Sequence, residues 1–168
     1  MKIMNNQVKL RGEIRPGDLG YVTYLHGKIY AAENQLDFTF EGYVAAGLGE
    51  FARTYDEQKD RLWLAETGQG IVGSIAIAGS KTVVENSAQI RWFLVHPTAR
   101  GSGLGKRLVH AAVEFCRERH FDSIFLWTVS ELLPAAHLYR AAGFRVTEEK
   151  THAIWGRVRT EQRYELKL

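Results

Sequence analysis

The sequence predicts an α/β (α+β) fold of about seven strands and about four helices, spanning residues 8–168 as a single domain. Three observations carry this: a composition that suits one core, short runs with strand alternation, and stretches whose apolar residues recur at helical spacing. The 168 residues are 45% hydrophobic and 24% charged, close to soluble globular averages, which excludes disordered and fibrous classes. A chain of this length buries enough apolar surface to fold without disulfides or metals.

The elements follow in order. Val8 to Ile14 alternates apolar and polar residues, as a half-buried strand does. Pro16-Gly17-Asp18 then makes a turn that opens a helix, expected to run to about His26 and to break at Gly27. Tyr30 to Leu36 reads as a loop and Asp37 to about Arg53 as a second helix. This half is rich in rings: Tyr21, Tyr24, Tyr30, Phe38, Phe40, Tyr43 and Phe51. Most are expected to pack helices on a sheet, and one or two to line a substrate pocket.

Arg61 to Glu66 and Ile71 to Ala78 read as strands joined by the turn Thr67-Gly68-Gln69-Gly70. Glu85 falls in a solvated turn. Ala88 to Val95 is a buried strand stopped by His96-Pro97. From Leu104 to His120, Leu104, Leu108, Ala112, Phe115 and Cys116 share one helical face, while Lys106, Arg107, Glu114, Arg117 and Glu118 lie elsewhere. Ser123 to Thr128 is a short buried strand, Pro134 to Ala142 a helix capped by Gly143, and Phe144 to Glu149 another strand. Tyr164 to Leu168 alternates as the last.

A net charge of +3 with scattered Lys and Arg gives no basic stripe for nucleic acid. Cys116 is alone, so no intramolecular disulfide forms, and it reads as a small buried helix residue. Met1 to Gln7 has no apolar signal core, and no stretch approaches the ~18 apolar residues of a membrane span. A cytoplasmic protein with no membrane partner is expected. His26, His110, His120, His137 and His152 lack zinc-ligand spacing, so no metal is expected.

The run Arg100-Gly101-Ser102-Gly103-Leu104-Gly105 sits between a buried strand and an amphipathic helix. Orphan N–H groups and the positive end of the helix dipole face outward there, which attracts phosphate. Its glycines admit an anion close to the backbone, and Arg100 adds a charge-assisted contact. A Walker A loop would need Gly at 100 and Ser or Thr at 107, where Arg100 and Arg107 stand. A dinucleotide fingerprint read from Gly101 would need a glycine where Lys106 stands.

What the run does match, through Arg100, Gly103 and Gly105, resembles the R/Q-x-x-G-x-G/A loop of the GNAT acetyltransferases. Ala135-Ala136-His137-Leu138-Tyr139 followed by Gly143-Phe144 resembles that family's A-x-x-L-Y-x-x-x-G-F signature. The two occur in family order, and the resemblance extends from about Val8 to Leu168. The pattern Arg15-Pro16-Gly17-Asp18-Leu19-Gly20, His26-Gly27, Tyr30, Glu33 and Phe40-Glu41 looks like the acetyltransferase half of bacterial MarR-type regulator fusions. The 168 residues leave no room for the winged-helix half.

The resemblance implies a central mixed, mostly antiparallel sheet and acetyl-CoA as cosubstrate. Its pyrophosphate would be held by Arg100, Gly101, Ser102, Gly103, Leu104, Gly105 and Lys106. The fourth strand, here Ile90 to Val95, would splay from the next, so that Leu94 and Val95 hold the pantetheine arm and acetyl oxygen by their backbones. Tyr139 matches the family tyrosine that protonates the thiolate; the alternative is a tyrosine that only packs. Many relatives carry Asn at the position of Leu132, which offers no polar contact to CoA.

For the general base, Glu33 in the acceptor-side loop is the first candidate, against an ordinary solvated glutamate. His96 and bound water stand beside it. The implied reaction is acetyl transfer from acetyl-CoA to a primary amine, small molecule or peptide, by direct attack in a ternary complex. A non-catalytic acyl-CoA-binding sensor or regulatory module is the alternative, and either reading is compatible with a homodimer.

Overall fold

The computed structural model describes residues 7–79 and 86–168, so the turn assigned to Glu85 lies outside the described residues. The elements are β1 (Lys9–Arg11), α1 (Asp18–Asn34), α2 (Phe38–Arg53), β2 (Asp60–Thr67), β3 (Gly70–Ala78) and β4 (Ser87–Val95). There follow α3 (Leu104–Glu118), β5 (Ser123–Val129), α4 (Leu133–Ala141), β6 (Arg145–Ile154) and β7 (Arg157–Lys167). The seven strands form one sheet in the order β1-β2-β3-β4-β5-β7-β6. Every adjacent pair is antiparallel except β4 and β5. The mixed, mostly antiparallel sheet and its four helices are as expected from the sequence.

Helices cover both faces of the sheet. On one face α3 and α4 bury Leu104, Leu108, Ala112, Ala136 and Tyr139 with Ile75, Ile77 and Ile124. On the other, α1 and α2 bury Val22, Leu25, Val44 and Leu48 with Leu62, Leu64 and Ala76. Among the described residues no helix is long and apolar enough to cross a membrane.

β4 changes face partway along. Ala88 and Ile90 belong to the first cluster, yet Trp92 and Leu94, at the same alternation, belong to the second. A bulge explains this: Ser74 pairs with Leu94 and Ala76 with Arg91, so β4 carries one extra residue there. Trp92 takes a left-handed φ of 48°, and Ser74 Oγ donates to its carbonyl at 2.7 Å. Beyond the bulge the two central strands part, since β4 pairs with β5 only at Ser87, Ala88 and Gln89. Residues 90–95 have no β5 partner. This is the splay expected for Ile90 to Val95.

Two sequence expectations are corrected. The first helix does not stop at His26; α1 continues through Gly27 to Asn34, so Tyr30 and Glu33 are helical and not in a loop. Val22, Leu25, His26 and Ile29 form one buried face, and that burial outweighs the roughly 1 kcal/mol cost of a mid-helix glycine. The last two strands are also longer than Phe144 to Glu149 and Tyr164 to Leu168. They form a hairpin turning at Trp155-Gly156, both at positive φ (51° and 97°), as a tight type I′ turn requires. Its tip docks on the α1–α2 connection: Asp37 N donates to Trp155 O at 3.3 Å. Arg159, almost wholly buried, donates to the Asn34 and Gln35 carbonyls at 3.0 and 3.1 Å and pairs with Glu131.

Candidate active site

The parting of β4 from β5 opens the sheet from both sides, and two cavities meet there. A cleft of about 630 Å³ is lined by Glu33, Leu94, Val95, Gly103, Lys106 and Leu138, among others. A smaller cavity of about 110 Å³ is lined by His26, Phe40, Arg91, Trp127, Tyr139 and Trp155, among others. Tyr30, Phe93, Leu132 and Ala135 line both. The larger follows the glycine run, and the smaller lies on its far side beneath α1 and α2.

The glycines of the run have different duties. Gly101 and Gly103 hold left-handed φ of 75° and 79°, and a Cβ on either would meet nothing within 4 Å. Both therefore leave the loop surface open. Gly103 caps α3 without a side-chain hydrogen bond, so the first-turn N–H groups are offered to the cleft. A Cβ on Gly105 would stand 2.7 Å from Leu138 Cδ1; this glycine lets α3 approach α4. Ser102 turns away, its hydroxyl donating to Ala99 O at 2.6 Å, and it is absent from the cleft lining. Leu104 is buried and contributes its backbone only.

Arg100 is engaged on all three nitrogens. Nε donates to Val95 O at 3.2 Å, and Nη1 and Nη2 donate to the two Glu33 carboxylate oxygens at 2.9 Å each. The residue straps the last turn of α1 to the end of β4. Lys106, on the first turn of α3, lines the cleft and has no carboxylate partner among the described residues. An outward glycine surface, uncapped N–H groups and a free ammonium fit the pyrophosphate of a CoA ester.

Tyr139 is 4% exposed, and its hydroxyl has no hydrogen-bond partner among the described residues. Burial, with Tyr30 and Tyr164 nearby, pushes its pKa well above the ordinary tyrosine value. It stays protonated at neutral pH, so in proton transfer it can act as an acid and not as a base. Tyr30, raised by burial to about 12, donates to Phe93 O at 3.0 Å, taking up one carbonyl freed by the split. Leu132 stands apolar at the join of the two cavities.

Of the base candidates, Glu33 lines the larger cleft and not the smaller cavity. His96 caps the short turn Pro97–Ala99, Nδ1 accepting from Thr98 N at 3.2 Å, and lines neither cavity. Sequence reasoning missed Arg91, Trp127 and Trp155, and placed His26 at a helix end, in the MarR-type pattern and among the histidines without zinc-ligand spacing, with no part in the acceptor pocket. His26 is buried with Nδ1 donating to Val22 O at 2.8 Å. Burial lowers its pKa to about 4. Cys116 is fully buried, its thiol raised to about 12 by burial, and is unreactive at neutral pH.

The Acetyltransferase (GNAT) family matches residues 29–144, more than half of the chain, so this protein belongs to that family. Human N-acetyltransferase 8B is 29% identical over 98 residues, 57% of this chain and 43% of its own. The chain spans about half the length of the curated relatives it matches. The crystal structure of an acetyltransferase from Streptococcus agalactiae superimposes with a TM-score of 0.77 at 22% identity, covering 98% of this chain and 100% of that one. YncA of Salmonella typhimurium, solved with its cofactor acetyl-CoA, gives 0.73 at 16% identity, covering 96% and 94%. Fold and family are those of acyltransferase enzymes that use acetyl-CoA.

Proposed function

We propose that the chain, as a single domain over 8–168, transfers an acetyl group from acetyl-CoA to a primary amine by direct attack in a ternary complex. The observation that carries this is the meeting of two cavities at the parted end of β4, with an unpartnered, protonated Tyr139 beside them. The larger cavity suits the cofactor: Gly101, Gly103, Leu104 and Gly105 offer backbone, and Lys106 offers charge to the pyrophosphate. Leu94 and Val95, on the β5-free part of β4, are assigned to the pantetheine arm and acetyl oxygen. Ser102 and Arg100 hold the loop in shape.

In the transfer the amine nitrogen forms the C–N bond, the C–S bond breaks, and its electron pair leaves on sulfur. Tyr139 supplies the proton that the sulfur takes up, and the amine loses one to the medium. For Glu33 the geometry supports holding Arg100 better than proton transfer, because both carboxylate oxygens are occupied. Water in the acceptor cavity is then the proton acceptor. Likeness of the N-terminal half to the acetyltransferase half of MarR-type fusions belongs to the same reading, as does a cytoplasmic location suited to a lone, reduced Cys116.

Free-thiol release from acetyl-CoA with a panel of amines tests the reading. Tyr139→Phe is expected to lower kcat by about 10²–10⁴-fold with acetyl-CoA affinity unchanged. Wild-type turnover in that variant would return Tyr139 to packing. Acetyl-CoA binding without thiol release for any amine would favour the sensor module.

A further inference from the structure

The smaller cavity has a lopsided chemistry. Its walls are largely aromatic, with Trp155 set against Phe40 and Tyr43 at ring separations of 4.9 and 5.5 Å. Its lining contains one permanent charge, Arg91, and no carboxylate. Arg11, Arg100, Arg159 and Arg163 each hold a carboxylate, whereas among the described residues Arg91 has none. It donates to Tyr43 Oη at 3.3 Å and stacks 4.4 Å from the Trp92 ring centroid.

The space around this guanidinium is reserved. A Cβ on Gly47 of α2 would stand 2.7 Å from Arg91 Nη2 and 3.1 Å from the Trp92 ring, so a side chain there would push the arginine away. Two further wall residues carry buried polar atoms without partners, His26 Nε2 and Trp92 Nε1. His26 is neutral, since burial lowers its pKa to about 4. A cavity with a net positive charge repels polyamines and lysine side chains and attracts an anion. A planar guanidinium binds carboxylate by two parallel hydrogen bonds, and ring walls favour an apolar body.

We propose that the acceptor is an amino acid with an aromatic or bulky apolar side chain, its carboxylate held by Arg91 and its body against Phe40, Tyr43 and Trp155. This rests on the acetyltransferase reading, names its substrate class, and makes Arg91 the residue that selects the acceptor.

The test pairs amino acids with their decarboxylated amines, L-phenylalanine with phenethylamine and L-leucine with isoamylamine, and adds spermidine. Each is assayed by thiol release with acetyl-CoA and, independently of turnover, by calorimetric binding. At least one acid is expected to exceed its amine by about 10- to 100-fold in kcat/KM and in affinity, the range of one charge-assisted hydrogen-bonded contact. Spermidine is expected to be poor. In Arg91→Gln the ratio collapses toward one while acetyl-CoA affinity holds; Arg91→Lys, which keeps the charge without the planar fork, recovers part of it. Gly47→Ala lowers it by displacing the guanidinium. Amines equal to or better than their acids, or a ratio that survives Arg91→Gln, would overturn the inference and leave acetyl transfer standing. If no compound is turned over, the binding arm still decides: selective binding of an acid that is lost in Arg91→Gln supports the inference, and its absence overturns it.

Discussion

His26 shows what one buried side chain imposes. Its ring is enclosed by α1 and the aromatic wall, and burial holds its pKa near 4, against 6.5 in the unfolded chain. The folded state binds its proton less readily, so this contribution is fully present above pH 6.5 and is lost as pH falls toward 4. A difference of that size is worth about 3 kcal/mol. Urea midpoints should fall between pH 7 and pH 4.5, and in His26→Gln the fall should shrink; parallel losses in both proteins would contradict this. At this scale the sequence was most informative where chemistry is contiguous. The run from Arg100 to Lys106 carries its glycines, charge and helix start in a single stretch. Arg91, His26 and Trp155 were illegible as a group, because only the bulge in β4, the packing of α1 on the sheet and the hairpin tip bring them to one cavity.

Elements place these residues, and α1 does so most directly. Read locally, Gly27 ends a helix; in the fold its buried face carries the chain on for two more turns and presents Tyr30 and Glu33 to the split. The hairpin of β6 and β7 was underestimated for a related reason. Residues 145–153 of β6 are exposed on both faces, so the strand lacks the alternation by which strands are recognised. The ion pair of Glu33 and Arg100 joins α1 to the end of β4, and Glu33→Gln separates its two readings. As a strap, the variant should weaken acetyl-CoA binding by several-fold and leave the shape of the pH–rate profile unchanged, with rates rising as the amine deprotonates toward ~10.4. Unchanged acetyl-CoA affinity with activity lost near neutral pH and recovered at high pH would instead make Glu33 the base.

For the whole molecule, one parting of two parallel strands brings together the two cavities of the proposed site. The glycine-run motif pointed to the larger cavity because the backbone that lines it is contiguous in sequence. The smaller cavity, the proposed acceptor half, is assembled from α1, α2, β4, β5, α4 and the tip of the last hairpin, and only the motif that carries Ala135 and Tyr139 records any of it locally. The central claim is that the Gly101–Lys106 turn holds the cofactor pyrophosphate. Its most direct test is calorimetric titration of acetyl-CoA into wild type, Gly103→Asn and Gly103→Asp. Both side chains tolerate the left-handed φ of 79° and can cap α3, so both variants should fold, and they differ in charge alone. Asn should weaken binding by competing for the first-turn N–H groups, and Asp should weaken it at least about tenfold further by setting a carboxylate against the pyrophosphate. Wild-type affinity in both folded variants would contradict the account.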